Sequence, residues 1–374
     1  MKVLVTGGCG FLGSHICEHY IEKGWDVIAY DNLTKYELMR TGYNVEGARD
    51  YNLKLLEGLG VVVILGDVRD KKVLMKYARS CDYIIHTAAQ PAMTIALEDP
   101  QLDFEVNVLG TLNVLEVARK YEIPMVNCST IHIYGNGINE NLVEGEDRFY
   151  LKSVIPHKYQ TIYEDEDILT GKLTPLHASK RAAEIYVQAY IDTYGLKAAN
   201  FRLTGMYGPR QFGGEDHGWV ANFAIRTILG LPIRIYGTDK QVRDILYVTD
   251  AVGAFDKWYK KGCPFGTYNI GGGEPCIMSI GMVLNELTEI TGKVQKVSLE
   301  PARQGDLYYF CCDINKARKE FGWVPKVLPK DGLKLLVDWI EENEDLFIQR
   351  VTRRQPSSRV HKVVPAMVKP RRKK

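Results

Sequence analysis

The feature that most constrains this chain is a set of three glycines at three-residue spacing, close to its first residue. Gly7, Gly10 and Gly13 lie in the segment VTGGCGFLGS, directly behind the apolar run 2–5. The first glycine allows a tight turn, the second lets backbone N–H groups approach a pyrophosphate, and the third lets the following helix pack close to the strand. We therefore predict a strand, a glycine turn and an amphipathic helix that together bind a dinucleotide.

An acidic residue stands where such a site needs one. A second apolar run, 25–30, ends in Asp31, about 20 residues beyond the glycines, where a carboxylate holds the 2′-hydroxyl of an adenosine ribose. Its negative charge repels a 2′-phosphate, so Asp31 favours NAD over NADP, although Lys35 and Arg40 lie close enough to weaken this preference. A glycine-rich turn without a ligand is the alternative, but strand, spacing and acid together favour NAD.

Apolar and helical segments alternate through the first half of the chain. The apolar runs are 2–6, 26–30, 61–65, 82–86 and 124–128, and the helical stretches between them are 11–23, 45–58, 70–79 and 100–120. A long polar segment at 135–174 comes next, then a helix at 176–194 and a strand at 197–201. This alternation predicts an α/β protein with a Rossmann-type, doubly wound parallel sheet.

Shorter elements follow from residue 205, with helices near 219–230, 249–260, 279–291 and 330–342. We expect them to form a smaller C-terminal substrate-binding lid domain over the carboxyl ends of the strands, where ligands bind such sheets. The predicted division is an NAD-binding domain at 1–204 with an insertion at 135–174, a mainly sugar-nucleotide-binding domain at 205–345, and a basic tail at 350–374.

The positive charge of the chain is concentrated in that tail. The 374 residues carry a net charge of +2, but residues 350–374 contain ten Lys or Arg and no acid, which leaves −8 on residues 1–349. Such a block of like charge, here with three prolines, is typical of disorder. Loose binding to nucleic acid or anionic lipid is one interpretation, and a solubilising extension is the one we favour.

The cysteines and the apolar runs bear on location. None of the eight cysteines forms a C-x-x-C pair, and most lie in apolar stretches, so we expect reduced, buried side chains and no metal site. The first predicted strand begins at residue 2, which leaves no room for a signal peptide, and no apolar run approaches the ~18 residues of a membrane span. We expect a cytoplasmic protein without membrane contact.

Polar and small residues follow the predicted strands at the edge where ligands bind. Asp67 comes after the third strand, where it could hold an adenine amino group or cap the next helix. Small residues in 86–90 would let a cofactor lie against the backbone, and the pair 129–130 ends the fifth strand with hydroxyls. Asn107 falls within a predicted helix, where a buried amide needs a hydrogen-bond partner.

Over about residues 1–340 the chain resembles the extended short-chain dehydrogenase/reductase family of NAD-dependent epimerases and dehydratases. Within it, the chain is most similar to the CDP-paratose (CDP-tyvelose) 2-epimerases, on PAMT at 91–94 and on GPRQF…DHGWV at 208–220. The other matching stretches are VTGGCGFLGS, YDN at 30–32, GDVRD at 66–70, HTAAQ at 86–90, DFEVNVLGTLNVLE at 103–116, IYGTDKQVRDILYVTD at 235–250, YNIGGG at 268–273 and ARQGD at 302–306.

The resemblance implies a site for NAD and a site for a nucleotide-diphosphosugar. The residues at the cofactor positions are Gly7, Gly10, Phe11, Leu12, Gly13, Asp31, Asn32, Asp67, Val68, Thr87, Ala88, Ala89, Gln90, Asn107, Ser129 and Lys180. The residues at the substrate positions are Gln90, Met93, Arg210, Gln211, Trp219, Arg243 and Arg303. The last two suit a diphosphate, because guanidinium groups are fixed bidentate donors. Trp219 serves equally well as a core anchor of the helix that it begins.

The family's reaction uses a hydroxyl, a tyrosine and a lysine, and here the tyrosine is missing. Thr130 and Lys180 match the catalytic hydroxyl and lysine, but the position four residues before Lys180 is Leu176, which cannot move a proton. Lys180 could itself be the base if desolvation lowers its pKa. The other candidate bases are His132, His177, Tyr150, Tyr159 and Tyr163.

The activity that the resemblance implies is epimerisation by transient oxidation, at C2 of a CDP-linked sugar, with no net use of NAD. A dehydratase, decarboxylase or oxidoreductase with another base is one alternative, and a binding protein that has lost turnover is another. Members of this family pair the helices that correspond to 100–120 and 177–194 across a two-fold axis, so we expect a homodimer. Burial beneath the lid is the competing explanation for the apolar faces of these helices.

Overall fold

Strands and helices alternate from the first residues to residue 130. The structure, a computed structural model, describes residues 1–34, 40–41, 43, 46–152 and 161–348, so Lys35, Tyr159 and the tail at 350–374 fall outside the described residues. The first elements are β1 (Lys2–Thr6), α1 (Phe11–Glu22), β2 (Asp26–Asp31), α2 (Glu46–Gly58), β3 (Val62–Leu65), α3 (Lys71–Ala78), β4 (Tyr83–His86), α4 (Met93–Glu98), α5 (Pro100–Phe104), α6 (Gly110–Tyr121) and β5 (Met125–Thr130).

The remaining elements are shorter, apart from one long helix. They are β6 (Leu142–Glu144), β7 (Phe149–Leu151), α7 (Pro175–Tyr194), β8 (Ala198–Leu203), β9 (Met206–Tyr207), α8 (Trp219–Ile228), β10 (Ile233–Tyr236), β11 (Val242–Asp244), β12 (Leu246–Tyr247), α9 (Val248–Lys260), β13 (Gly266–Ile270), β14 (Ile277–Ser279), α10 (Ile280–Thr291), β15 (Val297–Glu300), β16 (Tyr309–Phe310), α11 (Asn315–Phe321) and α12 (Pro329–Glu342). Within the described ranges, no helix is both long enough and apolar enough to cross a membrane.

Seven parallel strands form the central sheet, in the order β13-β8-β5-β4-β1-β2-β3. Leu4 of β1 lies between Ile28 on one side and Ile84 on the other. The order reverses at β1, so the carboxyl ends of β1 and β4 flank the crevice where such sheets bind ligands. The predicted doubly wound α/β sheet is confirmed, and β5 and β8 each run two residues further than predicted, to Thr130 and Leu203.

The helix predicted at 100–120 is in fact three segments. A π-helical turn, Glu105–Leu109, separates α5 from α6 and carries Asn107 at its centre. Asn107 is buried, and its side chain bonds the backbone N–H and carbonyl of Gln90. Single π-helical turns occur mostly where a helix serves a functional site, and here the turn aims an amide at the loop after β4.

The predicted boundary at residue 204 does not coincide with the packing of the chain. Two elements from beyond residue 205 belong to the first domain by their packing. Strand β13 is one of the two edge strands of the central sheet, and helix α9 packs in the same apolar core as β1 and α1. A separate core of α8, α10, α12 and β10 forms the lid. The chain therefore leaves the sheet at β8, builds part of the lid, and returns to the sheet before completing the lid.

The described part of the insertion packs against the lid and also against the central sheet, where Glu164 accepts hydrogen bonds from Arg202 of β8 and Asn269 of β13. Its strands β6 and β7 form an antiparallel hairpin. Phe149 stacks on Tyr308 with 5.5 Å between ring centroids, and Lys240 pairs with Glu144 at 2.8 Å. The eight cysteines are all free and buried, as predicted.

Candidate functional site

Two clefts open at the carboxyl edge of the sheet and meet there. The first cleft, of about 390 Å³, runs from the glycine loop along the ends of β1, β2, β4 and β5. The second cleft, of about 350 Å³, lies between that edge and the lid. Residues after β5 and β8 and at the start of α7 line both, so a ligand in either cleft reaches the same small region.

The glycine loop forms the floor of the first cleft. Gly7 has a φ of +67°, and its N–H donates to the carbonyl of Tyr30 at 2.8 Å. A Cβ on Gly13 would clash with the carbonyl oxygen of Gly7, so only glycine lets α1 pack this closely. Gly10 precedes α1 and offers no side-chain cap, so the N–H groups of the first turn, at Phe11 and Leu12, remain available to an anion.

Two carboxylates stand at the far end of the first cleft. Asp31 accepts hydrogen bonds from the backbone N–H groups of Cys9 (2.9 Å) and Leu33 (2.7 Å), which hold it beside the glycine loop. Asp67 accepts from the guanidinium of Arg69 at 2.8 and 3.0 Å, and this pairing lowers the pKa of Asp67 to about 2. The helix-capping alternative for Asp67 is wrong, because Asp70 caps α3 through the N–H groups of residues 72 and 73.

Small residues after β4 form one wall of the first cleft. The stretch Thr87, Ala88, Ala89 and Gln90 lines it, together with Val68 and Asn32. A Cβ on Gly7 would lie only 2.7 Å from the backbone nitrogen of Ala88, so the two loops touch.

Asn107 lines neither cleft, unlike the other residues at the predicted cofactor positions. It holds the backbone of Gln90 instead, and Gln90 in turn donates to Asp103 at 3.0 Å. Asn107 therefore supports the wall of the first cleft and does not line the cleft itself, because the π-helical turn points its amide at the protein interior.

The predicted catalytic pair lies at the junction of β5 and α7. Lys180 donates to the carbonyl oxygen of Cys128 at 3.3 Å, and Ser129 donates to Glu184 at 2.6 Å. Burial lowers the pKa of Lys180, while Cys128, Asp103 and Glu184 act to raise it. Thr130 lines both clefts, whereas Lys180 lines only the first.

Leu176 lies where the two clefts meet. It is buried, with 2% of its surface exposed, and lines both clefts one helical turn before Lys180. A side chain that can neither donate nor accept a proton therefore lies where the two clefts meet.

The candidate replacement bases differ in where the structure places them. His132 is half-buried and lines both clefts. His177 lines neither; its Nδ1 accepts from the backbone N–H of Thr174 at 3.0 Å and so caps α7. Tyr150 and Tyr163 also line neither, and the hydroxyl of Tyr150 bonds Asp147.

The predicted substrate residues divide between the clefts. Met93, Gln211, Trp219, Arg243 and Arg303 line the second cleft, while Gln90 and Arg210 line the first. Arg210 turns toward α1, where it pairs with Glu18 at 2.6 Å and lies against His15. Trp219 begins α8 and packs on Phe223 while it also lines the cleft, so the structure gives it both positions that the sequence allowed.

The two arginines of the second cleft are held in different ways. The guanidinium of Arg303 lies 3.7 Å from the ring centroid of Tyr236 and pairs with Asp216 at 3.3 Å. Arg243 donates to the carbonyl of Val242 at 2.7 Å, and burial lowers its pKa while Asp306 and Asp244 oppose that effect. A half-buried cation beside a cleft favours an anionic ligand there.

Several residues that line the clefts carry no sequence motif. Asn52 of α2 donates to the carbonyl of Cys9 at 3.0 Å and so supports the glycine loop. Glu215 and Arg234 of the second cleft pair at 2.6 Å. An asparagine within a predicted helix could have indicated a supporting role for Asn52. The pair Glu215–Arg234 joins a loop to a strand, so no local sequence pattern predicts it.

The comparison with known proteins agrees with this geometry. The sequence profile of the NAD dependent epimerase/dehydratase family matches residues 3–271. CDP-paratose 2-epimerase of Salmonella typhi is 33% identical over 353 residues, which cover 91% of this chain and 99% of that protein. The structure of Thermus thermophilus UDP-glucose 4-epimerase in complex with NAD superposes with a TM-score of 0.73 at 35% identity, over 91% of this chain and 99% of that one. Thermotoga maritima UDP-glucose 4-epimerase with UDP-glucose gives 0.75 at 30% identity, over 92% and 100%. This chain therefore belongs to the NAD dependent epimerase/dehydratase family.

Proposed function

We propose that this protein is an NAD-dependent epimerase of a nucleotide-diphosphosugar, with a CDP-linked sugar epimerised at C2 as the first substrate to test. The observation that carries the proposal is the meeting of the two clefts at Thr130, where a sugar in one would face a nicotinamide in the other. The similarity to CDP-paratose 2-epimerase supports the choice of nucleotide, and the similarity to two UDP-glucose 4-epimerases makes UDP-sugars the main competitor.

The first cleft suits NAD at both ends. The uncapped first turn of α1, behind Gly10, offers N–H donors to a pyrophosphate. Asp31 lies at the end of the neighbouring strand, as an acceptor for ribose hydroxyls requires. Arg40, which weakened the preference for NAD on sequence grounds, pairs with Glu98 at 2.5 Å, so its charge is already matched.

The second cleft suits a nucleotide-diphosphosugar. Arg243 and Arg303 supply charge for two phosphate groups, and Trp219 and Tyr236 offer flat apolar surface to a nucleoside. Carboxylates at Glu215, Asp216 and Asp306 lie on the same cleft, so an anion must compete for the arginines. The two arginines are therefore the residues on which we expect substrate affinity to depend.

The residues at the junction have separate tasks in this reaction. When bound, NAD supplies a hydride acceptor that later returns the hydride to the sugar. We propose that the Thr130 hydroxyl bonds the reacting sugar oxygen and that the Lys180 ammonium holds the cofactor and favours loss of the sugar proton. Release of the keto sugar from one orientation and its return in another would invert the carbon.

We also propose a homodimer formed by α5, α6 and α7. These helices pack side by side, and together with the π-helical turn before α6 they expose several large apolar side chains. They include Phe104, Leu109, Ile185 and Tyr186. Phe104 has 56% of its surface exposed, which is costly unless a partner covers it.

The direct test uses the purified protein and a panel of CDP-, UDP-, dTDP- and GDP-sugars, followed by NMR of the sugar protons. We expect an epimeric product without accumulation of NADH. Stoichiometric NADH would indicate an oxidoreductase instead, and a 4-keto-6-deoxy product would indicate a dehydratase. No conversion of any sugar nucleotide, with NAD bound, would overturn the proposed function.

A further inference from the structure

We infer that His132 exchanges the proton of the sugar hydroxyl in this protein, in place of the side chain that Leu176 lacks. The inference rests on the proposed function and names the residue that makes it chemically possible. It would explain how a protein with a cleft for the cofactor and a cleft for the substrate could transfer a proton although helix α7 lacks the tyrosine.

The position of His132 is the first argument. Among the described residues that line both clefts, the side chains that titrate near neutral pH are His132 and His217. His132 lies on the short 3-10 turn Ile131–Tyr134 that follows β5, and its backbone N–H donates to the Thr130 hydroxyl at 3.3 Å. The turn therefore holds the backbone of His132 beside the Thr130 hydroxyl, whereas His217 lies on the loop that leads into the lid.

The alternatives named by the sequence are less well placed. Lys180 lines only the first cleft and is held by the carbonyl of Cys128. The Nδ1 of His177 is already engaged in the cap of α7. The Nδ1 of His132 is buried with no hydrogen-bond partner among the described residues, so a ligand or water can bond it. The Nε2 of His177 is likewise buried and unbonded, but His177 lines neither cleft.

The charges around His132 make it responsive to substrate. Burial, the Arg243 guanidinium of β11 and the His177 imidazole of α7 together lower the pKa of His132 to about 3. The imidazole is therefore neutral near pH 7 and a weak base. A diphosphate bound to Arg243 would offset one of the charges that lower the pKa of His132, so we expect this pKa to rise when substrate binds.

The proposed step balances in protons and electrons. The O–H bond of the sugar hydroxyl breaks and its proton passes to a ring nitrogen of His132. The C–H electron pair leaves the same carbon with its hydrogen as a hydride, accepted by oxidised NAD, and a C=O bond forms. The reverse step returns both, so the cycle consumes neither NAD nor protons.

The first experiment measures single-turnover epimerisation of the sugar nucleotide that the wild type converts, with enzyme in excess, by NMR of the sugar protons. We expect H132Q to slow this step by roughly 10²–10⁴-fold with NAD content unchanged, the range that general bases contribute. H19Q is the control, because His19 lines neither cleft and pairs with Asp256 of α9, and the rate of this variant should stay within about threefold of the wild type. Adding L176Y to H132Q should restore the rate, because the phenol would occupy the junction.

The second experiment needs no turnover. The pKa of His132 is measured by NMR of histidine-labelled protein, with the signal assigned by its loss in H132Q, in the absence and presence of CDP. We expect the pKa of His132 to rise with CDP, and to rise without CDP in R243Q.

These outcomes separate the two claims. A wild type that converts no sugar nucleotide overturns the proposed function. A wild type that converts one, with H132Q equally fast, overturns the role of His132 alone. That role is also overturned if H217Q abolishes epimerisation while H132Q retains it, or if CDP binds without moving the pKa of His132.

Discussion

The Ser129 hydroxyl donates a 2.6 Å hydrogen bond to Glu184, a carboxylate with no solvent exposure that also pairs with Arg202 at 3.0 Å. Arg202 is itself buried and bonds the hydroxyl of Tyr134 at 2.9 Å. One side of this network is the wall of the first cleft and the other is the interior. The position of Ser129 in the wall of the first cleft therefore depends on the buried ion pair of Glu184 and Arg202.

Removal of Glu184 should be among the more damaging single changes in the sheet region. E184A would leave Arg202 buried without its partner, which costs about 3–5 kcal/mol of unfolding free energy. Urea unfolding measures it. D338A is the control, because the pair Lys334–Asp338 is exposed and its loss should cost under about 1 kcal/mol. Equal effects of the two variants would contradict a special role for the buried pair.

Gly13 should tolerate no side chain. G13A would drive a methyl group into the carbonyl of Gly7, so α1 must move away from the turn. We expect loss of bound NAD, measured by chromatography of the nucleotide released on denaturation, and a lower midpoint of thermal unfolding. G58A is the control, since a Cβ there meets nothing within 4 Å, and it should keep NAD and gain up to ~1 kcal/mol. Retention of NAD by G13A would disprove the close-packing argument.

Buried neutral histidines should make the fold sensitive to mild acid. Burial lowers the pKa of His15, His86 and His132 to about 3. Below pH 6.5 the unfolded chain binds protons that the folded chain does not, so the unfolding free energy falls with pH between about 6.5 and 3. Each such histidine contributes roughly 2 kcal/mol between pH 7.5 and 5.0.

The effect is isolated by comparing the wild type with H86Q at both pH values by urea unfolding. Asp244, whose pKa burial raises to about 6, acts in the opposite direction and is common to both proteins. H86Q loses the bonds to Thr6 and Thr111, so it should be less stable at pH 7.5 but change less with pH. An unchanged slope would show that His86 is not protonated on unfolding in this range.

A charge on the exposed face of α5 should prevent the proposed dimer. F104E replaces an exposed apolar side chain of α5 by a carboxylate, and we expect a monomer by sedimentation or light scattering. V297E is the control, because Val297 is exposed on β15, away from these helices. A wild type that is already monomeric, or an F104E protein that still dimerises, would reject this interface.

The elements of the sheet and the floor of the first cleft could be predicted because their signals are local. The alternation of apolar runs follows from the pleat and the helical period, and the glycines around Gly10 report a turn that closes within a few residues. The π-helical turn at Asn107 escaped prediction, because one extra residue in a helix leaves the apolar pattern almost unchanged. The place of β13 in the central sheet could not be predicted either, because the sequence of a strand does not indicate which other strands it pairs with.

The sequence by itself determined the fold class, the family and the absence of a proton donor at Leu176, because each depends on residue types at short, fixed spacings. Only the tertiary structure brings His132, the residue that we propose as the base, beside Leu176 at the junction of the clefts. His132 follows β5, Leu176 begins α7 and Arg243 lies on β11. They meet because parallel strands end at one edge of the sheet and the lid folds back over it, a relationship between distant segments that no local pattern encodes.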